Sequence, residues 1–173
     1  WHDRPGPPIS PIEFLGHNRA GRTSVEKVEE LQQTLTGEGA DATVLTLPES
    51  ICWLFNMRGR DVPNTPFVLG FSIVPRRGLP TLYLAKGKIT PELKNALEGV
   101  ARIADAKTLP AVLARLGGKA VHIDPATAPA AIAEALKGAG ARLIEKRDPV
   151  LLPKARKNDA ELAGMREAQR LDA

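Results

Sequence analysis

The sequence predicts an α/β fold in which a mixed, mostly parallel β-sheet carries helices on both faces. Two features point to it. From residue 81 onward, strand-like and helix-like runs alternate in units of about 20–30 residues, the pattern of a sheet covered on both sides. Before that, FVLGFSIV (67–74) and TLYLA (81–85) flank the turn sequence PRRGLP and read as an antiparallel pair, which makes the sheet mixed.

The elements follow in order. Residues 1–23 contain Pro5, Pro7, Pro8 and Pro11 and read as an irregular arm. Thr23-Ser24-Val25-Glu26 is a capping box, in which a hydroxyl and a carboxylate three residues apart satisfy each other's orphan amides. The helix it opens places Val25, Val28, Leu31 and Leu35 on one apolar face and stops at Gly37 and Gly39. ATVLTL (42–47) reads as a strand bounded by Pro48. After the hairpin, Thr90-Pro91 supplies an N-cap and a first helical position for PELKNALEGV. ARIADA (101–106) is a short strand, and residues 109–116 a short helix closed by Gly117-Gly118. AVHID (120–124) is an apolar strand, followed by an Ala-rich helix over 127–138 and the strand ARLIEK (141–146). Asn158-Asp159-Ala160-Glu161 is a second capping box and starts a last helix.

At 173 residues the chain suits one domain of ordinary size with appendages. Aromatic residues make up 4%, so the core must be built mainly from Ala, Val, Leu and Ile. The net charge of +4 is spread out, with clusters only at Arg76-Arg77 and between Lys146 and Lys157. No aromatic residues interleave with them to stack on bases, so no nucleic-acid partner is expected. No apolar run approaches the ~20 residues needed to cross a bilayer, so no membrane partner is expected either. The opening WHDRPGPPISP has neither the basic nor the apolar region of a signal peptide and does not begin with Met. It is read as a piece of a longer protein. A single cysteine excludes an internal disulfide and suits a reducing, cytoplasmic compartment. Between Ile51 and Trp53, Cys52 reads as a small buried hydrophobe.

A search for chemistry finds little. Dinucleotide binding needs a Gly-rich turn from strand into helix, but Gly37-Glu38-Gly39 and Gly117-Gly118 run from helix into strand and read as C-caps. His2, His17 and His122 lie far apart with no metal-binding spacing. Asp124 ends a strand before Pro125 and reads as a turn former. His122 reads as a hydrogen-bonded buried or edge residue. No serine triad can be assembled, and no ligand motif marks a free-standing flavodoxin-like binding domain.

One stretch stands apart: ICWLFNMRGRDVP (51–63), where dense apolar residues meet charges and a glycine. Ile51, Cys52, Trp53, Leu54, Phe55, Asn56, Met57, Arg58, Gly59, Arg60, Asp61 and Pro63 resemble the hallmark segment of three-domain Xaa-Pro aminopeptidases, in the creatinase/prolidase group of metallopeptidases. Cys52, where that family often has alanine, is a departure. Trp1, Asp3, Arg4 and Pro5 resemble the W-x-DRP that closes the family's first domain. Lys157, Asn158, Glu161, Gly164, Met165, Arg166 and Ala168 resemble the lead-in to its catalytic domain.

That resemblance implies a tail of a preceding domain over 1–12, a creatinase-N-like middle domain over 13–150, and a linker with the first helix toward a catalytic domain over 151–173. It implies that the full-length enzyme removes an N-terminal residue preceding proline. It implies two divalent ions, manganese in most members, held by two Asp, one His and two Glu of the C-terminal domain. It further implies that the chain itself holds no catalytic residue and no metal ligand. The expected partners are the flanking domains, a proline-containing peptide and, for the full-length protein, a second copy. Within the segment, Trp53, Leu54 and Phe55 are expected to anchor in the core. Gly59 is expected to let the turn project Arg58, with Asn56 and Asp61, toward substrate or the catalytic domain, the alternative being that Arg58 and Asp61 only tie the turn together. The alternative is a peptide- or protein-interaction module of the same fold without peptidase activity.

Overall fold

A computed structural model describes residues 2–3 and 5–172. Along the chain come β1 (Glu13–Phe14), α1 (His17–Ala20), α2 (Ser24–Gly37), β2 (Ala42–Leu45), α3 (Pro48–Leu54), β3 (Met57–Arg58), β4 (Gly70–Pro75) and β5 (Thr81–Leu84). Then follow α4 (Pro91–Ala96), β6 (Arg102–Asp105), α5 (Leu109–Leu113), β7 (Ala120–Ile123), α6 (Ala130–Gly138), β8 (Arg142–Glu145), α7 (Leu151–Ala155) and α8 (Asp159–Asp172). Six strands form one sheet in the order β6-β5-β4-β2-β7-β8. The pairs β5–β6, β2–β7 and β7–β8 are parallel, whereas β2–β4 and β4–β5 are antiparallel. The hairpin expected from PRRGLP therefore sits inside a mixed sheet. β2 and β7 are buried at every position, as strands covered on both faces must be.

Side chains alternate between two cores. On one face Leu31 and Leu35 of α2, Ile51 and Leu54 of α3, and Leu93 of α4 pack with Leu45, Val74, Leu82 and Leu84. On the other, Leu109 and Leu113 of α5 and Ile132 and Leu136 of α6 pack with Val44, Ile73, Val121 and Ile123. Burying such side chains stabilises the fold by about 1.5–3 kcal/mol each before conformational entropy is counted.

Several expectations change. The apolar density of residues 48–54 folds as helix α3, because Pro48 occupies its first turn with a preset φ and Leu47 before it is extended. Val25 is 44% exposed, and Lys27 instead takes the buried position ahead of Leu31 and Leu35. The arm is partly regular: β1 pairs antiparallel with β3, and α1 follows it. α6 starts at Ala130 rather than 127 because Pro129, at φ −54° and ψ 137°, stands outside the helix as its N-cap. α7 was not foreseen, and the helix expected over 109–116 ends in a 3-10 turn, Ala114–Leu116. The strands expected at 42–47, 67–74 and 141–146 shorten to β2, β4 and β8. Trp1 and Arg4 of the W-x-DRP motif lie outside the described residues.

Candidate functional site

Helix α3 presents the hallmark segment. Its inward face buries Ile51, Cys52 and Leu54, and Phe55 at its C-cap is fully buried. Trp53 faces the other way and is half-buried against the core. Asn56 then takes a left-handed backbone conformation, φ +50°, which reverses the chain. Asparagine tolerates that region better than most residues do. Its side chain is occupied internally: Oδ1 accepts from Lys27 Nζ at 2.6 Å, and Nδ2 donates to the Arg22 carbonyl at 2.7 Å. The Asn56 carbonyl also accepts from Leu15 N.

The bend therefore lies at Asn56, not at Gly59 as expected. Gly59 is needed for a different reason. A Cβ there would stand 2.7 Å from Val68 Cγ2 and 3.0 Å from the Phe67 carbonyl oxygen, so only glycine lets residues 67–68 approach this closely. Between the two, Met57 is buried and Arg58 is exposed, because strand β3 alternates its side chains across the small sheet with β1.

Asp61 turns inward. Its carboxylate is fully buried beside the equally buried Lys88 ammonium. It accepts further bonds from Ser10 Oγ and, at 2.7 Å, from Leu69 N. Burial raises its proton affinity, but the bonds from Lys88, Ser10 and Leu69 outweigh this and hold the carboxyl below its ordinary range. Lys88 also donates to the Ser10 carbonyl, so the pair fastens the arm to the loop over 59–69.

Two hollows flank the segment. One, of about 520 Å³, is walled by Glu13, Arg58, Arg60, Pro63 and Thr65. The other, of about 790 Å³, runs between α8 and residues 52–67, with Trp53, Asn56, Arg58, Phe67 and Met165 on its walls. Arg58 lines both, and among the described residues it forms no ion pair. The only hallmark charge besides it at the surface is Arg60, whose guanidinium lies 4.0 Å from Glu13.

Lys27 is buried at a position that the apolar pattern of α2 does not single out. Its i, i+4 spacing with Leu31 and Leu35 was the available signal. The ammonium lies 4.1 Å from the Trp53 ring centroid and donates to the Trp53 carbonyl. Burial pulls its pKa from 10.5 down to about 8, against the attraction of Glu161.

The remaining candidates stay apart from this site. Cys52 Sγ accepts from Val68 N, and burial pushes the thiol's pKa up, which suits an inert core residue. Asp124 accepts from Ala126 N and Asp148 N, so it builds a turn. His122 is buried in β7, a strand inside the sheet, and shares a hydrogen bond of 3.1 Å with Thr43. Its burial lowers the imidazole's pKa. Among the described residues no group of three or more His, Cys, Asp or Glu side chains fits a metal ion.

Residues 3–161 match the Creatinase/Prolidase N-terminal domain family. The chain belongs to that family. This creatinase/prolidase N-terminal domain is 32% identical over 179 residues to a probable Xaa-Pro aminopeptidase P of Arthroderma gypseum, covering 96% of the chain and 28% of the relative. It is 30% identical to Xaa-Pro aminopeptidase 1 of Dictyostelium discoideum, covering 96% of the chain and 26% of the relative. It superposes on an X-prolyl aminopeptidase from Caenorhabditis elegans, a cytosolic enzyme with a di-nuclear active site, with a TM-score of 0.85 and 26% identity. That match covers 96% of the domain and 28% of the worm chain. The N-terminal domain of the cytoplasmic peptidase PepQ from Mycobacterium tuberculosis H37Rv shares the fold, with a TM-score of 0.55 and 15% identity over 76% of this chain and 98% of its own. The chain thus spans less than a third of the length of the Xaa-Pro aminopeptidases it matches. Among its described residues no helix is long and apolar enough to cross a membrane.

Proposed function

We propose that the chain is the non-catalytic middle domain of a cytoplasmic Xaa-Pro aminopeptidase, and that it shapes access to an active site carried by a separate C-terminal domain. That domain would hold a pair of divalent ions, manganese in the proposed enzyme, which would supply the water-activating chemistry for cleavage of the bond preceding proline. The full-length protein acts on proline-containing peptides and has a homodimer as its proposed assembly. The hallmark segment divides its labour: Asn56 and Asp61 brace it from within, and Arg58 meets substrate or the facing domain. The observation that carries this is the exposure of Arg58 between two hollows, with no ion pair among the described residues. A free guanidinium at such a place suits a peptide carboxylate or an acidic residue across a domain boundary.

In the full-length enzyme, Arg58→Ala should lower kcat/KM for Xaa-Pro peptides about tenfold or more, the weight of one charge-assisted hydrogen bond. The same change should leave the circular dichroism and melting of the 173-residue chain unaltered. Unchanged kinetics on both short and long peptides would overturn the lining role. The 173-residue chain with added manganese should cleave no Xaa-Pro peptide, and measurable turnover would overturn the non-catalytic assignment.

A further inference from the structure

Helix α8 leaves the domain as a lever whose partly buried residues, among those described, lie at its root. Asn158, Ala160 and Glu161 are half-buried, and every residue from Leu162 to Asp172 is exposed. Its 14 residues extend about 21 Å, so a few degrees of tilt at the root displace the tip by more than an ångström. What holds the root therefore decides where the helix points.

Among the described residues, two side-chain hydrogen bonds join the root to the domain. Asn158 Nδ2 donates to the Ala20 carbonyl at 2.9 Å, beside Gly21, where any Cβ would collide with the Asn158 amide. Trp53 Nε1 donates to Glu161 Oε1 at 3.0 Å. Glu161 has a second task, since its Oε2 accepts from Asn158 N while Asn158 Oδ1 accepts from Glu161 N, closing the capping box. One carboxylate thus uses one oxygen to start the helix and the other to fasten it to the domain. Trp53 is itself backed from inside, with Lys27 under its ring and bonded to its carbonyl. Lys27 is fixed in turn by Asn56, whose amide is anchored on Arg22.

We propose that Trp53 and Glu161, with Lys27 behind the indole, form a joint that sets the direction of α8. The hallmark segment and the K-N-x-x-E motif are then two halves of one device, and Trp53 is a positioning residue that acts through the helix. Its consequence for catalysis rests on the function proposed above, in which α8 leads toward the catalytic domain. The joint itself does not depend on that function.

The test is a distance measurement by double electron–electron resonance on the 173-residue chain, with spin labels at Arg115→Cys and Gln169→Cys in a Cys52→Ala background. With Trp53 and Glu161 intact a single narrow distance is expected. Trp53→Phe keeps an aromatic ring and the capping box but removes the donor. It should shift the docked-to-undocked ratio about tenfold and replace the narrow distance by a broad one. Glu161→Gln, which keeps a carbonyl acceptor, should preserve more of the narrow distance than Glu161→Ala does. A narrow, unshifted distance in Trp53→Phe would overturn the joint. Should that variant fail to fold, the same result in Glu161→Ala at unchanged helix content would overturn it equally. Kinetics of full-length Trp53→Phe separate the two ideas: broadened distances with wild-type kcat/KM keep the joint and discard the link to catalysis.

Discussion

Asp61 and Lys88 are buried together, and neither charge is stable there without the other. Asp61→Leu alone should cost about 3–5 kcal/mol in denaturant unfolding, because it strands an ammonium away from water. The double variant Asp61→Leu/Lys88→Met should unfold closer to wild type than the single one does. The pair also has a pH signature. With its pKa held below the unfolded value, the Asp61 contribution is complete above the unfolded carboxylate's pKa and is lost as pH falls through the folded one. Lys27 behaves in the opposite pH range. Its amine titrates near 8 in the folded domain and at 10.5 when unfolded, so between those values the unfolded chain binds more protons. Stability should therefore rise with pH from about 8 to 10.5, at up to about 1.4 kcal/mol per pH unit, and Lys27→Met should flatten that slope. Gly59→Ala, pressed against Val68 and the Phe67 carbonyl, should cost about 1–3 kcal/mol, measured by thermal melting.

Local elements announce themselves in sequence when their chemistry is local. The box at Thr23 and Glu26 forms as written: Glu26 N donates to Thr23 Oγ1, and Thr23 N donates to the Glu26 carboxylate. Thr23→Ala should accordingly destabilise the domain by about 1 kcal/mol in denaturant titration. The box at Asn158 and Glu161 and the hairpin over 70–84 were equally legible, for the same reason. Helix α3 was not. Residues 51–55 are apolar almost without a break, so they show no helical period, and Pro48 looked like the end of a strand although it opens a helix. The buried face of α2 departs from its apolar pattern where a long amine, rather than a branched apolar side chain, enters the interior. That happens because Lys27 finds the Trp53 and Asn56 acceptors, which no sequence window around residue 27 contains.

At the scale of the whole molecule, the motifs were visible as separate words and their grammar was not. Trp53 and Glu161 are 108 positions apart, and Ser10 and Asp61 are 51 apart, yet each pair is in direct contact. No spacing rule spans such gaps, because the contacts follow from how the sheet order folds the chain back on itself. The sequence singles out Trp53, Asn56, Arg58 and Asp61. Which of them face inward depended on the reversal at Asn56 and on the β1–β3 pairing. One consequence of that arrangement concerns force. The arm is tied to residues 56–61, and the root of α8 is tied to Ala20 and Trp53. Tension applied through residues 5 and 172 would pass from the arm through α1 into α8, leaving the six-stranded sheet slack. In an optical trap the ends should come loose first, as a small early extension, before the sheet ruptures at higher load.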